Sequence, residues 1–200
     1  KTLFPYTTLF RSGALRTGFI VVVDDEDAIQ RAMASLLSRW GHRVLAVGSA
    51  DEALTRLGED AAPDLIICDI MMPMLDGYGV LHAVHRNEAI KNTPFIFLTA
   101  KTEVEDETRG LEMGAVDYIT KPISPPIVLA RVKTHLALKQ VQDFLRDQNT
   151  FLETEIKKRT EEIVAIQDVT IHAMASMAET RDNETGNHIR RTQHYVKVLA

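Results

Sequence analysis

Four apolar runs in this chain end on groups that can hold charge or take part in a reaction. Val23 is followed by Asp24 and Asp25, Cys68 by Asp69, Leu98 by Thr99, and Ile119-Thr120 by Lys121-Pro122. If those runs lie side by side as parallel strands, three carboxylates, a hydroxyl and an ammonium meet at one crevice. Clustered carboxylates repel and raise one another's pKa unless a cation neutralises them. Oxygen-only ligands select a hard ion, and a site with few protein ligands that keeps waters suits Mg²⁺. A carboxylate in contact with Mg²⁺ and a lysine is a competent phosphoryl acceptor, because the cations offset charge on the equatorial oxygens. Thr99 can donate a hydrogen bond to one of those oxygens.

The elements that must position these groups are legible. Phe19–Val23, Val44–Val47, Leu65–Cys68, Phe95–Leu98 and the weaker Tyr118–Ile119 are short and continuously apolar, as strands buried on both faces of a parallel sheet are. Helical patterns alternate with them. Asp27 with Gln30 reads as a cap and its N3 partner, and Gly41 closes that helix. Ser49-Ala-Asp-Glu52 reads as a capping box, and Ser124 before Pro125 as a cap with proline at N1. The alternation predicts an α/β fold with a doubly wound, five-stranded parallel sheet covered by helices on both faces. Chemistry in such sheets sits beyond the carboxyl ends of the strands.

The residues match a known family. IVVVDDE, LIICDIMMPMLDGYG, FIFLTA and DYITKP resemble the receiver domains of two-component response regulators, over Phe19 to Ala137, in type, order and spacing. The resemblance implies a flavodoxin-like sheet of strand order 2-1-3-4-5 and the following roles. Asp69 is the phospho-acceptor. Asp25 and Asp69 ligate Mg²⁺ directly, Asp24 does so through water, and the backbone carbonyl of Met71 completes the protein ligands. Lys121 pairs with the phosphoryl group, the Lys121–Pro122 bond is cis, and small Ala100 leaves a path for the donor. Thr99 and Tyr118 form the switch pair, Thr99 moving toward the phosphate as Tyr118 turns inward. The implied partner is a cognate histidine kinase or phosphotransfer protein. Cys68, Met71, Met72 and Met74 otherwise read as packing residues, and His82 and His85 as solvated or packing ones.

From Pro125 to about Arg181 nothing breaks a helix: there is no glycine, and no proline after Pro126. A helix of that length extends roughly 85 Å, too long to pack on one small domain, so it reads as a connector. Leu138, Leu145, Leu152, Arg159 and Ile166 recur at heptad spacing, with Asn149, Ile156, Ile163 and Thr170 interleaved. That is a seam with polar interruptions, and it predicts a homodimer through a coiled coil. Beyond it, ETRDNETGNHIRRTQ within residues 171–200 resembles the opening of an HD-GYP domain, a cyclic-di-GMP phosphodiesterase module. In that resemblance Glu184 and His188 lie in a metal site, of Fe or Mn in a complete output domain. The HD pair and GYP segment are absent from this sequence, so cyclic-di-GMP is expected to be a substrate only of a longer parent. By residues alone, Glu-x-x-x-His is a weak metal signal.

Composition bounds the remainder. The chain has 200 residues, 45% of them hydrophobic and 26% charged, which suits a globular domain with an appendage. A net charge of −5 offers no basic field for DNA or an acidic membrane, and no basic recognition helix is visible. The single cysteine excludes an intrachain disulfide and suits a reducing cytoplasm. Lys1 to Ser12 is not read as a signal peptide, because Pro5, Thr7, Thr8 and Arg11 break its apolar core. Thr2 to Ser12 resembles a translated sequencing adapter. The expected organisation is an artefactual or disordered leader at 1–18, a receiver domain at 19–137, a helical coiled-coil linker at 138–164 and the truncated start of an HD-GYP domain at 165–200. The alternative to a phosphodiesterase output is an adaptor of receiver plus coiled coil, acting by protein contact only.

Overall fold

The computed structural model describes residues 17–59, 61–100, 110–179, 191, 192, 194 and 195. Its elements are β1 (Phe19–Val23), α1 (Asp27–Arg39), β2 (Arg43–Val47), α2 (Ala50–Glu59), β3 (Leu65–Asp69), α3 (Gly77–Arg86), β4 (Phe95–Ala100), β5 (Asp117–Lys121) and α4 (Pro125–Glu179). All pairings are parallel and the sheet order is β2-β1-β3-β4-β5, the flavodoxin-like order expected. The helical pattern expected between β4 and β5 falls largely on 101–109, outside the described residues.

Side chains alternate across a strand, so each strand feeds two cores. Val21, Val23, Ile66, Cys68, Phe95 and Phe97 face one way and pack with Ala53 and Leu57 of α2 and Val80, Leu81 and Val84 of α3. Ile20, Val22, Leu65, Ile67, Ile96, Leu98 and Ile119 face the other, against Met33 and Leu37 of α1 and Val128, Val132 and Leu136 of α4. β1 and β3 are buried throughout, because helices cover both faces. Each fully buried Val, Leu, Ile or Phe contributes about 1.5–3 kcal/mol relative to exposure. This double layer holds the strand ends, and thus the site, in register.

Several terminal signals behave as read and one does not. Glu52 N–H donates to Ser49 Oγ at 3.2 Å, and Glu52 reaches back to the Gly48 N–H at 3.4 Å. Gly41 follows the Trp40 cap of α1 at φ +87°, where a side chain would be strained. α4 starts at Pro125, and the Ser124 carbonyl accepts from the Ile127 and Val128 N–H groups, both at 3.0 Å. The correction concerns α1: Glu26 occupies the cap position without a side-chain bond, and Asp27 is the first helical residue. Asp24 instead holds the turn that leads into the helix. Its Oδ1 accepts the Glu26 N–H at 2.9 Å, and its carbonyl accepts from the Gln30 amide at 2.9 Å.

Two compact units divide the chain, Lys1–Gln142 and Asp143–Ala200. The first holds the sheet, α1–α3 and the first turns of α4. The second holds the rest of α4, which exposes Leu145, Leu152, Ile156, Ile163, Ile166 and Met177. No helix among the described residues is long and apolar enough to cross a membrane.

Candidate functional site

β1 and β3 are adjacent, with Val23 opposite Cys68. Each therefore delivers its following or final acidic residue to the same edge of the sheet. β4 sets Asp69 level with Leu98, and β5 sets Lys121 level with Ala100. Asp69, Ala100 and Lys121 end their strands and Thr99 precedes Ala100 within β4, so backbone pairing fixes their positions.

Asp24, Asp25 and Asp69 come together: one carboxylate oxygen from each lies within 4.8 Å of the others. Asp24 and Asp69 are buried and Asp25 is exposed. Lys121 Nζ is 2.7 Å from Asp69 Oδ2, 2.9 Å from Asp24 Oδ2 and 3.4 Å from Glu26 Oε1. Burial raises the Asp24 pKa, and Asp69 beside it adds to the rise; Lys121 and the Glu26 N–H pull the other way. For Lys121, burial favours the neutral amine, but its bonds to Asp69 and Asp24 outweigh that and hold the pKa well above the ordinary lysine value.

The donor set fits Mg²⁺. It is all oxygen, and Asp24 Oδ2 is buried with an ion-pair partner in Lys121 but no aligned hydrogen bond among the described residues. Met71 follows in the loop after β3, its side chain 71% exposed and its N–H donating to Asp69 Oδ1 at 3.3 Å. That loop turns at Met74, a non-glycine residue at φ +69°. α3 closes it, with Asp76 as cap accepting the Gly79 N–H at 2.8 Å. Gly77 sits so close beneath β3 that a Cβ there would collide with the Asp69 carbonyl and lie 3.0 Å from Ile70 Cα.

Thr99 is buried, its hydroxyl donating to the Ala100 carbonyl at 3.1 Å, while Ala100 is exposed. Tyr118 is half-buried, with the Arg131 guanidinium 5.3 Å from its ring centroid. Lys121–Pro122 is cis. Glu184 and His188 lie outside the described residues, as do the leader residues Thr2 to Ser12.

Two features escaped the sequence reading. Glu26 joins the ring around Lys121, although VDDE had shown an acid at that place. At the start of β5, Asp117 is held by Arg131, by His135 Nε2 at 3.0 Å and by the Tyr118 N–H at 2.8 Å. Burial alone would raise the Asp117 pKa, but these partners together hold it below the ordinary range. No short motif announces that cluster, because its members belong to a strand and the helix that follows it.

A doubly wound parallel sheet carrying three acids and a lysine at its carboxyl edge is the arrangement of a receiver type of α/β domain. The chain belongs to the response regulator receiver domain family, whose model matches residues 20–133. It is 46% identical over 181 residues to a Vibrio cholerae protein named as a probable cyclic di-GMP phosphodiesterase; the match covers 90% of this chain and 41% of that protein. It is 42% identical over 122 residues to the alkaline phosphatase synthesis transcriptional regulatory protein PhoP of Bacillus subtilis, covering 61% of this chain and 50% of that one. The chain thus spans half or less of these relatives. Among solved structures it resembles the chemotaxis response regulator CheY4 of Vibrio cholerae, at 28% identity and TM-score 0.56, over 60% of this chain and 99% of that one. It also resembles the receiver domain of the Francisella response regulator 1452, at 31% identity and TM-score 0.55, over 60% of this chain and 98% of that one.

Proposed function

We propose that residues 19–137 form a switch that accepts a phosphoryl group on Asp69 from a cognate histidine kinase or phosphotransfer protein. The observation that carries this is the meeting of Asp24, Asp25 and Asp69 at the edge of the sheet, with Lys121 bonded to Asp24 and Asp69. Asp24, Asp25, Asp69 and the Met71 carbonyl would hold Mg²⁺, which offsets the charge of the incoming group. An Asp69 carboxylate oxygen forms the new bond to phosphorus. The bond from phosphorus to the donor's imidazole nitrogen or acyl oxygen breaks, and its electron pair leaves with the donor. Lys121 stays beside Asp69 and pairs with the equatorial oxygens, to which Thr99 donates its hydroxyl once it leaves the Ala100 carbonyl. Small, exposed Ala100 leaves the approach open, and Tyr118 turns inward as Thr99 moves.

Residues 138–164 then act as a linker that pairs two copies, and 165–200 open an HD-GYP output in which Glu184 and His188 bind Fe or Mn. The name and greater length of the Vibrio cholerae relative support that output. Neither DNA nor a membrane is a partner, and the setting is cytoplasmic. A second reading, an adaptor acting through protein contact alone, is favoured by the row of exposed apolar residues on α4. Turnover of cyclic-di-GMP by a chain extended past Ala200 separates the two.

The decisive test of the switch is chemical. With Mg²⁺ and acetyl phosphate the protein should gain one phosphoryl group. Asp69→Asn or removal of Mg²⁺ should abolish the gain, and undiminished labelling of Asp69→Asn would refute the assignment.

A further inference from the structure

The dimer proposed above leaves open which way its helices run. We infer that α4 pairs with a second copy of itself in parallel and in register, and that Asn149 and Arg159 set that register. The inference rests on the dimer reading and adds orientation and alignment to it.

The two interleaved series differ in position. Leu145, Leu152, Arg159 and Ile166 each precede a member of the other series by four residues, so they are d positions. Asn149, Ile156, Ile163, Thr170 and Met177 are a positions. β-branched residues at a with leucine at d favour two parallel strands, and Ile156 and Ile163 at a alternate with Leu145 and Leu152 at d. The seam is exposed along its apolar positions: Leu145, Leu152, Ile156, Ile163 and Ile166 are 51–66% exposed. Ala175, on the opposite face of the last turns, is fully buried, and Asp168 and Ile171 near it are half-buried. Covering therefore falls on the back of the helix and spares the seam.

Polar residues in the seam decide the alignment. In a parallel, in-register pair each faces its own copy, so Gln142, Asn149, Arg159 and Thr170 form polar layers and every apolar layer stays apolar. Two facing amides can bond each other. Two facing guanidinium groups would repel, but each Arg159 is already bonded within its own helix, to Glu155 at 3.1 Å and Glu162 at 3.0 Å. Antiparallel alignments mix the layers: centring between Asn149 and Leu152 sets that amide against a leucine, and centring between Leu152 and Ile156 sets Asn149 against Arg159. The latter also leaves Gln142 facing Ile166 and Thr170 facing Leu138, and it brings Met177 opposite Arg131. Arg131 is committed to Asp117, and its neighbours Val128, Val132 and Leu136 are buried in the receiver core. Burying polar groups against apolar ones is penalised, so the parallel pair is selected.

Disulfide trapping in the whole chain tests this. Cys68 is buried, and burial pushes its thiol well above the ordinary value, so it does not compete. Leu145→Cys and Ile163→Cys should each form a covalent homodimer on mild oxidation, whereas Glu161→Cys, on the outer face, should not. In the parallel pair, positions 145 and 163 lie roughly 27 Å apart along the axis, so a mixture of the two variants should give no mixed dimer. Sedimentation should show a dimer, and Asn149→Leu should add higher oligomers. Mixed Leu145→Cys/Ile163→Cys dimers without either homodimer would establish the antiparallel pair, overturning this inference while leaving the dimer intact. A monomer at high concentration in sedimentation would overturn the dimer reading itself, and an unchanged Asn149→Leu distribution would remove Asn149 from the register.

Discussion

Lys121 is the counter-ion the acidic pocket carries in its own chain. Three carboxylates, those of Asp24, Asp69 and Glu26, the first two of them buried, sit within reach of its ammonium. Removing one partner of a buried pair leaves an uncompensated charge and costs about 3 kcal/mol. Lys121→Met should therefore lose about that much stability to urea without Mg²⁺, and Mg²⁺ should recover much of the loss. The deficit should also shrink as pH falls, because Asp24, whose pKa burial raises, protonates in the folded state before it does in the unfolded one. A variant as stable as the parent at neutral pH would remove Lys121 from this role. His42 gives a second pH signature. It is buried, its Nδ1 accepts the Gly18 N–H at 3.2 Å, and Nε2 has no partner among the described residues. Burial holds its pKa below the ordinary value. The unfolded chain takes up a proton that the folded one resists, so stability should decline as pH drops below about 6.5 and level off below the folded value. His42→Gln should lack that decline in urea midpoints measured across pH. Asp117, held low by its partners, acts in a lower window: its contribution is present above the ordinary aspartate value and is lost as pH falls through the folded one.

At the scale of elements, α3 and β3 constrain one another through Gly77. A methyl group there has nowhere to go except into the Asp69 carbonyl. Gly77→Ala should cost about 1–3 kcal/mol as an overpacked site, and it should weaken Mg²⁺ binding by calorimetry because the carboxylate of Asp69 moves with its backbone. Normal metal affinity in that variant would show that the contact is relieved elsewhere. The strands and helices were readable because buried parallel strands are continuously apolar and because Ser49, Gly41 and Ser124-Pro125 mark helix ends. The site was readable because strand ends and chemistry coincide at Asp69, Thr99 and Lys121. The start of α1 was not: Asp27 is a good cap on paper, but the turn held by Asp24, whose N–H donates to the Val47 carbonyl at 3.2 Å, sets Glu26 at the cap position and Asp27 inside the helix. The Asp117–Arg131–His135 cluster was hidden for a similar reason, since strand-to-helix-face contacts leave no fixed spacing.

At the scale of the whole molecule, the receiver unit Lys1–Gln142 and the unit Asp143–Ala200 are separable by their internal packing. A chain ending after Gln142 should therefore still fold and accept phosphate at an undiminished rate with Mg²⁺ and acetyl phosphate, while sedimenting as a monomer. Loss of phosphorylation on truncation would tie the site to the second unit. Phosphorylation of the longer chain should alter dimer affinity, because a two-state receiver feeds its equilibrium into whatever helix continues from it.

The place of Trp40 has a practical consequence for anyone watching this switch by light. The only tryptophan in the chain stands where α1 ends, at the edge of the sheet where β2 begins, and it packs on the core shared with α4. The acids gather at the opposite edge. Its emission should report global melting faithfully and stay nearly constant through cation loading and phosphoryl transfer, so a flat fluorescence trace would not mark the receiver as inert.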